Sequence, residues 1–335
     1  MNKYPYKRIL VTGGAGFIGS TFIEKILNHF SDFDILNIDK LTYASSHRTL
    51  NLFKGYSNYS FKEIDISEFA NLKLIVDSFL PDLIINFAAE SHVDNSISFA
   101  DEFVQSNILG TYNLLQIALE LQFSNSCLFH HISTDEVYGD LQPYDDSFTE
   151  QSNFRPSSPY SSTKAAADLL VMAWGRTYKL PFLITNCSNN YGPRQHIEKL
   201  IPKIIVNAML EETIPIYGDG KNIRDWIYVE DHINAIFALH NKNIINEVFN
   251  IGGNNERANI DLTYLIINQL NKHPNINVSK KSIKFVKDRK GHDLRYAIDS
   301  SKLIKQTNWK PLTPFDEGIK LTIDWYLENS EWWIN

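Results

Sequence analysis

The stretch Ile9-Leu10-Val11-Thr12-Gly13-Gly14-Ala15-Gly16-Phe17-Ile18-Gly19 decides the fold, because it runs from an apolar β-type segment straight into a helical one with Gly13, Gly16 and Gly19 three residues apart. In such a turn the first glycine permits the tight bend, the second lets the backbone approach a pyrophosphate, and the third lets helix and strand pack closely. The helix that begins at Phe17 and Ile18 then offers free N–H groups to phosphate oxygens. A glycine triplet alone is weak, since turns use glycine for positive φ. Context strengthens it: the next β-type run, 35–38, ends in Asp39, about twenty residues past the fingerprint, where a carboxylate meets a ribose 2′-hydroxyl and favours NAD over NADP.

Working outward, short β-type runs alternate with amphipathic segments: strand 8–12, helix 19–30, strand 35–38, strand 59–64, helix 72–79, strand 83–88, helix 102–121, strand 128–133, helix 159–178 and strand 182–187. This order predicts an α/β protein with a Rossmann-type, doubly wound parallel sheet covered by helices on both faces. Beyond Asn189 the rhythm breaks at Pro193, Pro202, Pro215, Gly218 and Gly220. We therefore expect an NAD-binding domain over 1–188, with a return at about 225–252 that includes the run 247–251. A smaller, mixed α/β substrate-binding domain takes the remainder of 189–335. The tail 315–333 is expected to form a helix that packs through Trp325, Trp332 and Trp333.

Composition narrows the function classes. The 335 residues carry a formal net charge of -7, which argues against general binding of nucleic-acid backbones. No apolar stretch is long enough for a membrane span, and the start, Met1 to Arg8, lacks an apolar signal segment. Two cysteines, Cys127 and Cys187, make neither a disulfide framework nor a zinc cluster, so a cytoplasmic enzyme without metal is expected. The histidines His130, His131 and His232 read as isolated structural residues.

Four segments supply chemistry. Tyr160 and Lys164 open the helix 159–178 on one face, a spacing at which an ammonium would lower the phenol pKa and prepare it to take a proton from a hydroxyl. Such a pair also occurs by chance on many helices. Ser133-Thr134-Asp135-Glu136-Val137-Tyr138-Gly139 follows a strand, at the edge where such sheets bind ligands. Adjacent acids there are usually solvated turn residues, yet two carboxylates can divide into acid and base when their environments split their pKa values. Phe87-Ala88-Ala89-Glu90-Ser91-His92-Val93-Asp94 sits at another strand end, and Asn189-Asn190-Tyr191-Gly192-Pro193-Arg194 at the exit of the strand 182–187. Asp65-Ile66, after the third strand, reads either as an adenine-side contact or as a helix cap.

Taken together, the glycine fingerprint, Asp39-Lys40-Leu41-Thr42, Ala-Ala-Glu-Ser-His, Ser-Thr-Asp-Glu-Val-Tyr-Gly, Tyr160/Lys164 and Cys187-Ser188-Asn189-Asn190-Tyr191-Gly192-Pro193 resemble the extended short-chain dehydrogenase/reductase family. Within it they resemble the dTDP-glucose 4,6-dehydratases, over nearly the whole chain. The Thr134-Asp135-Glu136 triplet is the specific part, since epimerase relatives share the Tyr/Lys pair and generally lack the acids. The resemblance implies that NAD is held by Gly13, Gly16, Phe17, Ile18, Gly19, Asp39, Lys40, Leu41, Thr42, Asp65, Ile66, Phe87, Ala88, Ala89, Ser91, Ser106, Tyr160, Lys164 and Asn190. It further implies that Tyr160 deprotonates the sugar 4-hydroxyl with Thr134 orienting that oxygen, that Glu136 removes the C5 proton, and that protonated Asp135 assists loss of the C6 hydroxyl.

For the sugar nucleotide the resemblance implies Ser91, Thr134, Asn189, Lys199, Leu200, Pro215, Ile216, Tyr217, Arg224, Asn259, Asp288, Arg289 and His292. Arg224 and Arg289 suit phosphate, which a guanidinium binds bidentately. Lys290 stands where the family usually has proline, and Asn95 where it has arginine, so UDP-glucose stays open beside dTDP-glucose. A sugar-nucleotide epimerase and a silent NAD-binding protein remain alternatives. By the same resemblance, the helices 102–121 and 159–178 are expected to pair with their copies in a homodimer.

Overall fold

The protein is described by a computed structural model covering residues 2–122, 126–274 and 276–334. Seven parallel strands form the main sheet: β1 (Arg8–Thr12), β2 (Asp34–Asp39), β3 (Tyr59–Glu63), β4 (Leu83–Asn86), β5 (Leu128–Thr134), β6 (Phe182–Cys187) and, after three strands outside it, β10 (Glu247–Ile251). Their spatial order is β3-β2-β1-β4-β5-β6-β10. The order reverses between β1 and β4, and a crevice opens at such a switch point beyond the carboxyl ends of the strands.

The sheet is buried on both faces, as all-parallel sheets must be. Successive side chains of β1 point to opposite sides, so Ile9 and Val11 join one core cluster and Leu10 the other. The first core is closed by α1 (Phe17–His29) and α6 (Val229–Asn241), and the second by α2 (Phe69–Phe79), α3 (Gly110–Leu121) and α4 (Pro159–Tyr178). Each fully buried Ile, Leu or Val contributes roughly 1.5–3 kcal/mol. Lys25 on α1 donates to Glu230 of α6 at 2.6 Å, tying the two helices at their surface.

The remaining strands form smaller sheets. β7 (Asn189–Tyr191), β9 (Ile223–Tyr228) and β11 (Glu256–Ala258) lie in the order β11-β9-β7, while β8 (Ile214–Tyr217) pairs in parallel with β12 (Ile283–Val286). Helices α5 (Leu200–Met209), α7 (Asn259–Leu270) and α8 (Phe315–Glu328) cover them through a third apolar cluster. The run 247–251 pairs with β6 in the main sheet, whereas Ile223–Tyr228 belongs to the three-stranded one.

Two helices differ from expectation. The segment expected as one helix over 102–121 begins at Ala100 and passes through a π-helical stretch, Val104–Leu109, before α3. Tertiary bonds account for it: Asn107 accepts from Glu90 N at 2.9 Å and donates to Glu90 O at 3.1 Å and Thr163 Oγ1 at 2.9 Å. Turns of this type concentrate at functional sites. The tail helix stops at Glu328, where Asn329 Nδ2 caps the Trp325 carbonyl at 2.8 Å, and a 3-10 turn, Ser330–Trp332, follows.

Candidate functional site

Six strand ends meet in a cavity of about 280 Å³ lined by Gly13, Gly16, Phe17, Ile18 and Gly19, by Asp39, Lys40, Thr42 and Ile66, by Phe87, Ala88, Ala89 and Ser91, by Ser106, and by Thr134, Asp135, Glu136, Tyr160, Lys164 and Asn190. The glycine positions are sterically enforced. Gly13 has φ 72°, and a Cβ there would lie 2.6 Å from Ala88 N; a Cβ at Gly19 would lie 2.4 Å from Gly13 O. A Cβ at Gly16 would meet nothing closer than Gly13 O at 3.3 Å, so the backbone at the head of α1 is open to close approach by a ligand. Asp39 is buried at the end of β2, where it accepts from Ala15 N at 3.0 Å, Leu41 N at 2.8 Å and Ser45 Oγ at 2.9 Å. Bare helix N-terminus, open glycine cradle and a fixed carboxylate fit a dinucleotide.

Two expected cofactor residues lie outside this cavity lining. Leu41 has φ 55° and serves through its N–H on Asp39, while Asp65 accepts from Ser67 N at 2.8 Å and pairs with Lys40 at 3.6 Å. Asp65 therefore ties a turn and positions Lys40. Gly14 was missed: its N–H bonds Asn37 Oδ1 at 3.1 Å, and a Cβ would collide with that oxygen. Glu90 was also missed as a site residue; it is buried in the cavity wall, 3.7 Å from Lys40 Nζ. Only the pairing of sequence-distant loops reveals either role.

The reacting groups converge where this cavity meets a second one. Thr134 ends β5 and caps a 3-10 turn, Asp135–Tyr138, its hydroxyl accepting from Glu136 N at 3.3 Å and donating to Asp135 Oδ1 at 3.3 Å. Asp135 is buried and its Oδ2 has no hydrogen-bond partner. Burial first, then Glu136 and Asp225, push its carboxyl well above the ordinary range. Glu136 is also raised by burial, but Arg224, Arg289 and Lys199 draw it back toward the anion. Both acids are thus raised by burial, but Glu136 adds to the rise at Asp135, whereas three cations oppose it at Glu136.

Tyr160 and Lys164 sit in the first turns of α4, which starts where it does because Ser158 and Ser161 form a reciprocal capping box and Pro159 takes the first helical position. The expectation that Lys164 lowers the phenol pKa is corrected. Burial first, then Glu136 and Cys187, raise Tyr160 well above its ordinary value, with a Thr134 hydrogen bond opposing. Lys164 Nζ is committed to Ile132 O at 2.8 Å, with His131 Nε2 3.3 Å away. The histidines are not isolated either: His130 Nδ1 lies 2.9 Å from His240 Nε2, and His232 Nδ1 lies 2.9 Å from Asn190 Oδ1.

The second cavity, about 210 Å³, is lined by Ser91, Asn189, Lys199, Leu200, Pro215, Ile216, Tyr217, Arg224, Asn259, Arg289 and His292. Arg224 is held by Ile223 O at 2.7 Å and Asp293 O at 2.9 Å, with its guanidinium 4.3 Å above the Tyr296 ring. Arg289 lies 5.3 Å over the Tyr217 ring and 3.5 Å from Asp94, whose other oxygen accepts from Tyr217 OH at 3.0 Å. Lys199 Nζ donates to Ser91 O at 2.8 Å. Asp288 does not line the cavity; half exposed, it bonds His292 Nδ1 at 2.6 Å and so aims that ring. Asp94 and Tyr296 were not foreseen, because their role arises only from contact with the arginines. Among the described residues, no group of three or more His, Cys, Asp or Glu could hold a metal ion.

A family model described as GDP-mannose 4,6 dehydratase matches residues 10–322. A dTDP-glucose 4,6-dehydratase of Haemophilus influenzae is 48% identical over 333 residues, covering 96% of this chain and 98% of that one, and the Neisseria meningitidis enzyme of the same name is 46% identical over 340 residues, covering 98% and 96%. Among solved structures, the dTDP-glucose 4,6-dehydratase DesIV of Streptomyces venezuelae, with NAD and TYD bound, matches with a TM-score of 0.91 at 39% identity, covering 97% of this chain and 98% of its own. A Thermotoga maritima UDP-glucose 4-epimerase follows with a TM-score of 0.84 at 26% identity, covering 96% and 99%. On these likenesses, which span nearly the whole chain, the chain belongs to the dTDP-glucose 4,6-dehydratase family of extended short-chain dehydrogenase/reductases.

Proposed function

We propose that the chain dehydrates dTDP-glucose to the 4-keto-6-deoxy sugar nucleotide and water. The observation that carries this reading is the convergence of Tyr160, Asp135 and Glu136 in the cofactor cavity, with Glu136 also lining the second cavity and facing its cations. NAD, held by the glycine turn, Asp39 and Lys164, would supply the hydride acceptor for C4 of the sugar and the hydride donor for C6. Tyr160 takes the proton of the 4-hydroxyl, the positive nicotinamide ring, when bound, offsetting the burial that raises the phenol, and the Thr134 hydroxyl orients that oxygen. The resulting ketone acidifies the C5 proton, which Glu136 removes. Asp135, whose carboxyl burial biases toward the protonated form, gives its proton to the departing C6 hydroxyl, so that water leaves. Glu136 then reprotonates C5 as hydride reaches C6. Arg224, Arg289 and Lys199 take the diphosphate, and the walls formed by Leu200, Pro215, Ile216 and Tyr217 take the base.

The purified protein, offered dTDP-glucose and UDP-glucose without added NAD, should yield a product lighter by one water, read by mass spectrometry. An isomer of unchanged mass would instead assign epimerase chemistry, and no turnover of either would defeat the reading.

Assembly and organisation belong to the same proposal. An apolar strip runs along the helices 100–121 and 159–178: Phe99 is 67% exposed and Leu169 56%, with Val104, Leu109, Tyr112 and Tyr178 beside them. Tyr112 of α3 packs against Trp174 of α4 with ring centroids 5.9 Å apart, so the two helices share one face. A homodimer through this face would bury it, and a monomer mass at micromolar concentration would contradict it. We also read 1–188 with the return through β10 as the cofactor unit and the remainder of 189–335 as the sugar-nucleotide unit. The free cysteines, both buried, suit a cytoplasmic, reducing setting.

A further inference from the structure

Beneath Lys164 lies a buried polar cluster that the reaction as written does not use. Asp168, one turn further along α4, is fully buried. Its Oδ2 accepts from Ser133 Oγ at 2.8 Å and from Asn186 Nδ2 at 3.2 Å, and the same Asn186 amide donates to Thr134 O at 3.2 Å. Its Oδ1 has no hydrogen-bond partner and lies 3.5 Å from His131 Nε2. That ring nitrogen is itself 3.3 Å from Lys164 Nζ, while His131 Nδ1 faces the Asn86 amide nitrogen at 3.2 Å. With the amide donating to Nδ1, the ring proton resides on Nε2, directed into the gap between Asp168 and Lys164. Asn86 in turn accepts from Thr12 Oγ1 at 2.6 Å, at the residue before the glycine turn.

A leucine at 168 would fill this space more cheaply than a carboxylate, since burying an acid in a core is costly unless it answers a charge. The charge it answers is the ammonium four residues earlier on the same helix face. We propose that Asp168, acting with His131, is a positioning residue that keeps the Lys164 ammonium charged and fixed at the floor of the cofactor cavity. Burial pulls Lys164 down to about 8, and Asp168 followed by Cys187 opposes that fall. Burial likewise raises Asp168 to about 7, against Lys164, Ser133 and Asn186. The other titratable groups facing this cluster are His131 on β5, Tyr138 on the 3-10 turn, Cys187 on β6 and Tyr160 on α4, with Asp135 and Glu136 beyond the phenol. Burial holds His131 well below its ordinary range, so its neutral ring points the Nε2 proton toward Asp168, while the Lys164 ammonium donates to the Ile132 carbonyl.

The proposal rests on the dehydratase reading for its purpose, but its test does not need turnover. Lysine labelled with carbon-13 at Cε reports the charge of each ammonium by NMR, and Lys164→Met assigns the signal. In Asp168→Asn, which keeps the shape and can still accept from Ser133, the Lys164 midpoint should fall by about one pH unit or more. An unmoved midpoint overturns the proposal. Should that variant not fold, Ser133→Ala removes the 2.8 Å bond to Asp168 and should lower the midpoint by a smaller amount in the same direction; no movement there overturns the proposal equally. In parallel, the alkaline limb of the rate profile with dTDP-glucose should move to lower pH in Asp168→Asn. A rate reduced equally at every pH, with that limb in place, is the signature of a merely structural residue and also overturns it. Failure of the unsubstituted chain to release water would defeat the dehydratase reading while leaving the NMR result to decide this one.

Discussion

The cofactor cavity and the sugar-nucleotide cavity share a wall at Ser91, Glu136, Asn189, Asn190 and Lys199, yet they are built in different ways. The first is made from the ends of parallel strands, each giving a short contiguous run, and its entrance at the head of α1 is shaped by Gly13 and Gly19, which leave no room for a Cβ. The second gathers residues from two small sheets, the starts of α5 and α7 and the loops around Ser91 and Arg289, and its cations are held by carbonyls, rings and Asp94. Damage to the first should therefore act through shape and be close to all-or-none. Damage to the second should act through charge and be graded.

The largest effect should come at the shared wall. Glu136→Gln should lower dehydration by about 10²–10⁴-fold and block entry of solvent deuterium at C5, while bound NAD still becomes reduced. Retained deuterium entry, read by mass spectrometry, would remove Glu136 from the base role. Next, Gly13→Ala places a Cβ against the Ala88 backbone at a positive φ, and should cost about 1–3 kcal/mol together with most of the bound NAD. Thermal melting and the nucleotide content of the purified protein measure both. An unstrained, NAD-replete variant would erase the contrast between the two cavities.

Arg289→Ala should raise KM about tenfold or more with kcat little changed, because a charge-assisted bond to phosphate is lost equally from ground and transition states. A fall in kcat alone would place Arg289 at the reacting sugar instead. Asp135→Asn, though it stops turnover, should melt about 2 °C or more above the unsubstituted chain near neutral pH. The sign follows from a folded-state pKa raised by burial: the native fold holds a proton that the unfolded chain releases above its ordinary carboxylate pKa, so native stability falls as pH rises toward the raised value. The gap should widen across that window and vanish at acid pH. The smallest effect is expected from Asp288→Asn, which leaves His292 in place with one weaker bond and should move KM by no more than about twofold.

Legibility in the sequence follows the same division. The strand-to-helix glycine turn, Asp39 at a strand end and the placement of Tyr160 and Lys164 in the first turns of α4 could be read because each position is set by neighbours within a turn or two. The π-helical stretch at Val104–Leu109 could not, since Asn107 distorts the helix only to reach Glu90 and Thr163. Nor could the correct source of the tyrosine's shifted pKa, because spacing along a helix shows that two side chains share a face but not which carbonyl captures the ammonium. Asp288, which the resemblance implied as a substrate contact, turns its carboxylate to His292 instead, a pairing that only the folded loop shows.

By itself, the order of apolar runs and glycines determined a parallel, doubly wound sheet and the edge at which its ligands sit, because hydrophobic periodicity and backbone sterics are local properties. Tertiary structure alone decided the protonation bias of Asp135 and Glu136 and the burial of Asp168 under Lys164. Desolvation and Coulomb terms depend on what surrounds a group in space, and those surroundings come from strands and helices far apart along the chain.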